Sequence, residues 1–125
     1  MAKLKVTTKN SKDNLKYRSY IYAIDIIKLV ANLPKNLVGD TIGKQLLRCG
    51  TSIGANIVEA QSGTSRKDFI NFYSHALKSA NESKFWLCLL RDSTSIDNKK
   101  IESLLDETAQ IANMLAKSIL TLKGK

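Results

Sequence analysis

The stretch from Asp97 to Leu122, DNKKIESLLDETAQIANMLAKSILTL, decides the fold. Ile101, Leu104, Leu105, Thr108, Ile111, Ala112, Leu115, Ile119 and Leu122 recur at steps of three and four, the a/d-type pattern of a helix that buries one apolar stripe. Asp97 stands where an N-cap belongs, so the spacing predicts a helix from Asn98 to about Leu122. A helix with one apolar stripe needs partners, and the rest of the chain offers three.

Working backwards, Ser65-Arg66-Lys67-Asp68 opens a helix with a Ser N-cap followed three residues on by an acid, Asp replacing the usual Glu or Gln of a capping box. Phe69, Phe72, Tyr73, Ala76, Ala80, Ser83, Leu87 and Leu90 make its stripe. Phe85 and Leu89 point nearly opposite, with Trp86 on the flank, and these three are read as an oligomer contact surface. The preceding helix is predicted to start after Gly39 with Asp40 as N-cap and to end near Gln61, ahead of Gly63. Ile42, Leu46, Cys49, Ile53, Ile57 and Ala60 form its core face. Gly43, Gly50 and Gly54 run beside them and cost helix propensity unless a neighbouring backbone comes close, so they predict a tight packing seam. The first helix spans roughly Leu15 to Leu33 and stops before Pro34. Arg18, Asp25, Lys28 and Asn32 confine its polarity to one narrow stripe, and Tyr20, Ile21, Tyr22, Ile24, Ile26, Ile27, Leu29 and Val30 cover the rest. A helix apolar most of the way round must be buried by more than its own bundle, a first sign of self-association.

Apart from a weak Leu4, Val6 alternation, no strand pattern competes. The fold expected is therefore all-α, an antiparallel up-and-down four-helix bundle over residues 15–123 behind a flexible basic arm over residues 1–14. A chain of 125 residues suits one domain with a real core. No run approaches the roughly 18 to 20 apolar residues of a membrane span, and Met1-Ala2-Lys3-Leu4-Lys5 lacks a signal-peptide core, so a cytoplasmic location away from membranes is expected. Cys49 and Cys88 fall within helical stretches and read as reduced thiols rather than as a disulfide or a metal pair.

The formal net charge is +9, which points to polyanionic partners. Residues 1–18 hold Lys3, Lys5, Lys9, Lys12, Lys16 and Arg18 against Asp13, leaving five of those nine charges there. Such an arm either orders on a phosphate backbone or only solubilises the chain. Lys44, Arg48, Arg66, Lys67, Lys78 and Lys84 are the candidate contacts on the body, with Lys44, Lys67 and Lys78 on outward faces where they would form one patch. Without interleaved aromatics for stacking, binding would address backbone and shape rather than sequence.

Chemistry finds little support. Arg48, Ser52, Asn56 and Glu59 align on helix two, and His75, Ser79, Glu82 and Trp86 on helix three, so a carboxylate pair and a histidine would meet if these flanks faced each other. A di-metal bundle needs two Glu-x-x-His motifs, and this chain has one histidine. The alternative is a hydrogen-bonded motif of Arg48, Ser52, Asn56, Glu59 and Glu82 that fixes register, with Arg48 compensating Glu59 or Glu82. No glycine loop fits phosphate cradling, since Gly43-Lys44 and Gly124-Lys125 lack the upstream glycine. No catalytic residue, metal or cofactor is expected.

The segment RCGTSIGANIVEA, from Arg48 to Ala60, resembles the bacterial four-helix bundle family that includes proteins encoded in intervening sequences of 23S rRNA genes and the accessory protein of diversity-generating retroelements. Its R-x-x-x-S-I-x-x-N-I-x-E core is met at Arg48, Ser52, Ile53, Asn56, Ile57 and Glu59, and Phe69-Ile70-Asn71-Phe72-Tyr73 and Ala76 through Glu82 extend the match. Ala60 departs from it, standing where a glycine is common. The resemblance implies a homo-oligomer, a pentameric ring, and it implies nucleic-acid binding beside a protein partner such as a reverse transcriptase. Three readings therefore stand: a nucleic-acid-binding accessory protein, a scaffold docking another protein, and a small enzyme built on Glu59, His75 and Glu82.

Overall fold

A computed structural model describes residues 14–62 and 65–124. They form four helices, α1 (Leu15–Ala31), α2 (Leu37–Ser62), α3 (Arg66–Ser93) and α4 (Asn98–Lys123), each packed on the next, with α1 closing onto α4. Arm residues 1–13 and Gly63 lie outside the described residues.

Local chemistry sets the helix ends. The Asn14 side chain accepts from the Tyr17 N–H at 3.0 Å, Ser65 accepts from the Asp68 N–H at 3.0 Å, and Asp97 accepts from the Lys99 N–H at 3.0 Å. Helix α1 ends at Ala31, two residues short of the expected Leu33, and Leu33 turns inward to bury its side chain ahead of Pro34. The start of α2 corrects the sequence reading more substantially. Asn36, rather than Asp40, takes the capping role, accepting from the Gly39 N–H on its side chain (2.9 Å) and from the Asp40 N–H on its carbonyl (2.8 Å). Gly39 is thus inside the first turn, where a Cβ would come within 2.1 Å of the Pro34 carbonyl oxygen. The glycine permits a fold-back that any side chain would block.

The predicted glycine seam exists, and its partner is α1. A Cβ at Gly43 would meet Leu33 at 3.1 Å, one at Gly50 would meet Ile26 at 2.9 Å, and one at Gly54 would meet the Ser19 hydroxyl at 3.3 Å. Positions ascending along α2 meet positions descending along α1. Ile26 is wholly buried, so the missing side chain at Gly50 is what lets it enter.

Mid-bundle, each helix contributes one hydroxyl or thiol to a buried polar layer: Tyr22, Cys49, Ser83 and Thr108. Tyr22 Oη lies 2.7 Å from Thr108 Oγ1, which in turn donates to the Leu104 carbonyl at 2.6 Å. Since threonine has one hydroxyl proton, Tyr22 is the donor of that pair. Ser83 Oγ is 2.8 Å from the Ser79 carbonyl and 3.2 Å from Cys49 Sγ. Burial pushes the Tyr22 phenol up to about 12, against the opposing hydrogen bonds to Thr108 and Ser83, and burial likewise raises the Cys49 thiol. Around this layer Leu46, Ile53, Ile57, Ala76, Ala80, Leu87, Ile101, Ile111 and Leu115 complete a dry core.

Two results test this packing. Gly50→Ala gains up to about 1 kcal/mol of helix propensity but overpacks Ile26 at a cost of about 1–3 kcal/mol, so a net loss is expected in chemical denaturation. In an Ile26→Ala background that loss should vanish, because the new methyl enters the space vacated; an undiminished loss would mean the seam is not what Gly50 serves. Second, a phenol raised above its ordinary 10 stabilises the fold fully below pH 10 and loses that contribution as pH climbs toward 12. The stability difference between wild type and Tyr22→Phe, measured across that window, should shrink as pH rises.

Candidate nucleic-acid interface

The R-x-x-x-S-I-x-x-N-I-x-E segment lies on α2 with Ile53 and Ile57 fully buried and its polar members on the flank. The Ser52 hydroxyl donates to the Arg48 carbonyl at 2.7 Å and the Asn56 amide to the Ser52 carbonyl at 2.9 Å, so both serve the helix surface itself. Arg48 reaches across to α3 and pairs with Glu82, which also accepts from Trp86 Nε1 at 3.3 Å, while Gln45 receives a second Arg48 bond at 3.2 Å. The pair is solvent-exposed, so it organises the surface more than it stabilises the core.

Glu59 does not join this group. It is exposed and lines a groove between α1 and α2 with Lys16, Tyr20, Ala23 and Ala55. His75, also exposed, lies with Arg48, Asn56, Lys78 and Glu82 along a shallow α2/α3 groove of about 720 Å³. His75 and Glu82 therefore share the α2/α3 groove, but the second carboxylate that an enzyme reading requires is on a different face, because α2 turns Glu59 towards α1. Among the described residues, no group of three or more His, Cys, Asp or Glu side chains is placed to hold a metal.

Arg18 also differs from its place in the sequence reading. Instead of standing in an outward polar stripe, its guanidinium lies against α4, donating to Glu107 through Nε (2.9 Å) and Nη2 (2.6 Å) and to Gln110 at 2.7 Å. Its charge is matched by Glu107 and so adds little to the arm's field.

The remaining cations are unevenly placed. Lys16 on α1 shares a groove with Glu59 near the end of α2. Arg66 and Lys67, at the start of α3, line a cleft of about 530 Å³ with Ile70, Leu122 and Lys123. Beside it, Phe69 and Tyr73 line a second cleft of about 510 Å³ with Met114, Lys117, Ser118, Thr121 and Leu122. The first turn of α1, the end of α2, the start of α3 and the end of α4 thus occupy one end of the bundle. Among the described residues in the half running from the Tyr22 layer to that end, apart from the Arg18–Glu107 and Arg48–Glu82 pairs that straddle the layer, Lys16, Arg66, Lys67, Lys78, Lys117 and Lys123 face only Glu59 and Asp68. In the other half Lys28, Lys35, Lys44, Lys84, Arg91, Lys99 and Lys100 are balanced by Asp25, Asp40, Asp92, Asp97, Glu102 and Asp106, with Arg91 bonded to Asp92 at 2.9 Å and to Glu102 at 3.1 Å. The expected patch of Lys44, Lys67 and Lys78 is therefore split: Lys44 falls in the balanced half, Lys78 sits in the α2/α3 groove and Lys67 lies at the basic end; of the other candidates, Lys84 falls in the balanced half, Arg48 is engaged by Glu82 and Arg66 lies beside Lys67. Lys3, Lys5, Lys9 and Lys12 lie outside the described residues, but the chain enters α1 at this same end.

Lys117 and Lys123 escaped the sequence reading, although the signal was available. The clefts set the start of α3 beside the end of α4, and Lys16 beside the end of α2, so local charge clusters distant in sequence add up in space.

Phe85 and Leu89 are exposed on α3, Phe85 at 57%, and Trp86 packs edge-on against the Phe85 ring, centroids 5.1 Å apart, with its own ring partly buried on the core. Ile21, Ile27, Leu37, Val38 and Leu47 add exposed apolar area on α1 and α2. No helix among the described residues is long and apolar enough to cross a membrane.

These features define a small all-α four-helix bundle with one strongly basic end and exposed apolar side chains on α1 to α3. The chain belongs to the family described as 23S rRNA-intervening sequence protein, whose model matches residues 13–117. Among solved structures it is similar to a protein of unknown function from the S23 ribosomal protein family of Bacteroides thetaiotaomicron VPI-5482. The two share 40% identity and a TM-score of 0.78 over 85% of this chain and 98% of the other. A search of the curated proteins finds no match.

Proposed function

We propose that this protein is a non-enzymatic, oligomeric accessory protein of the cytoplasm that binds the sugar-phosphate backbone of RNA or DNA without strong sequence specificity. The observation that carries this reading is the charge polarity of the bundle: among the described residues, and beyond the Arg18–Glu107 and Arg48–Glu82 pairs, six cations stand against two carboxylates in one half, on the end where the arm bearing Lys3, Lys5, Lys9 and Lys12 is attached. Arg66 and Lys67 strengthen it. They occupy the first two positions of α3, where the helix dipole disfavours positive charge, so helix stability does not explain them. The family's description refers to 23S rRNA, which makes RNA the first ligand to test.

The order of contacts along the helices supports an antiparallel up-and-down bundle, and the apolar side chains of α1 and α3 support packing against further copies, five in the ring that the family resemblance implies. A second reading, a scaffold that docks a protein such as a reverse transcriptase, is favoured by the exposure of Phe85 and Leu89.

Titration of the purified protein against fluorescent RNA over a salt series separates the two. Neutralising Lys3, Lys5, Lys9, Lys12 and Lys16 together should weaken binding and flatten the log-log salt dependence by up to about one unit of slope per cation removed. An unchanged slope would remove the arm from the account. Absence of binding at low salt would leave the scaffold reading in its place.

A further inference from the structure

We infer that the paired clefts between the start of α3 and the end of α4 form a site for an unpaired nucleic-acid strand, with a base held against Phe69 and the flanking phosphates held by Arg66, Lys67, Lys117 and Lys123. The inference rests on the proposed nucleic-acid function and goes beyond it by naming the place and the strand state. Both clefts are lined by Leu122, so they lie side by side at the end of α4. The Phe69 cleft has a volume of about 510 Å³ and is lined by the tilted Phe69–Tyr73 ring pair, with centroids 4.3 Å apart, together with the apolar Met114 and Leu122. Tyr73 is buried, which leaves the half-buried Phe69 ring as the one a ligand meets.

A rigid duplex has its bases stacked internally and would use only the cationic rim. An unpaired base has a free π-face that gains from an aromatic partner whatever its identity, while its neighbouring phosphates need cations close by. This cleft places both kinds of group together. The α2/α3 groove of about 720 Å³ does so less well, because Glu82 engages Arg48 there and adds a carboxylate to the lining. A membrane surface fits this cleft less well, since its own apolar residues, Phe69, Tyr73, Met114 and Leu122, are buried or half-buried rather than projecting.

The test uses the full chain and three fluorescent probes: oligouridine of roughly 12 nucleotides, within the usual span of single-strand sites, an RNA duplex of equal length, and vesicles of phosphatidylserine. Phe69→Leu keeps an apolar filler and removes the ring; Phe69→Ala removes both, and thermal unfolding of each variant reports whether the fold persists. Tighter binding of oligouridine than of duplex, weakened about fivefold or more by Phe69→Leu while duplex binding is unchanged, supports the site. Lys117→Ala with Lys123→Ala should weaken both nucleic acids, and Lys100→Ala at the opposite end neither. Oligouridine binding indifferent to Phe69→Leu and to the lysine pair would overturn the site yet leave the general function standing. Binding of neither nucleic acid by wild type would overturn both, and binding of vesicles alone would replace the strand with a lipid surface.

Discussion

The close approach of α1 to α2 is the constraint on which the rest of the structure depends. Helix α1 carries apolar side chains around most of its circumference, and Ile26 is buried completely only because Gly50 has no side chain to meet it. Gly43 and Gly54 extend that relief along the seam, and Gly39 lets the connecting turn fold back on Pro34. With α1 held this near, the Tyr22 phenol reaches Thr108 on α4, and Arg18 reaches Glu107 and Gln110 on the same helix. These long polar side chains close the ring of helices at places where apolar packing alone would allow slippage, a specifying role attested for other buried polar groups.

Much of this was legible in the residues. The three-and-four spacing from Ile101 to Ile119, the capping at Ser65 and Asp97 and the seam glycines each bear on a single helix, and local signals of that kind survive folding. What the sequence concealed was relational. Asn36 outcompeted Asp40 as the cap because the turn at Pro34 sets where the helix begins. Ser83, Thr108 and Cys49 looked like small core fillers, and only their meeting with Tyr22 makes them a polar layer. Arg18 reads as arm charge until α4 is placed beside it. Glu59 stands one helical step from Asn56 in sequence, yet it faces a different neighbour, and so the acid-base constellation dissolves.

The charge distribution follows from the same geometry. The first turn of α1 lies beside the end of α2 and the first turn of α3 beside the end of α4, and Lys16, Arg66, Lys67, Lys117 and Lys123 thereby combine into one field. The opposite half neutralises itself, Arg91 with Asp92 and Glu102 being the clearest case. A polar field of this kind gives orientation as well as attraction, because a polyanion would be steered to one end of the bundle. If copies associate through the apolar side chains of α1 and α3, their basic ends would act on one strand together, which converts weak single sites into avid binding.

The most direct measurement is a hydrogen-exchange footprint of the protein with and without structured RNA. The account predicts that protection on binding concentrates in Arg66–Ile70 and Lys117–Lys123, with Lys28–Leu33 and Lys99–Glu102 unchanged. Protection centred on the balanced end, or confined to the Phe85 and Leu89 face, would contradict it.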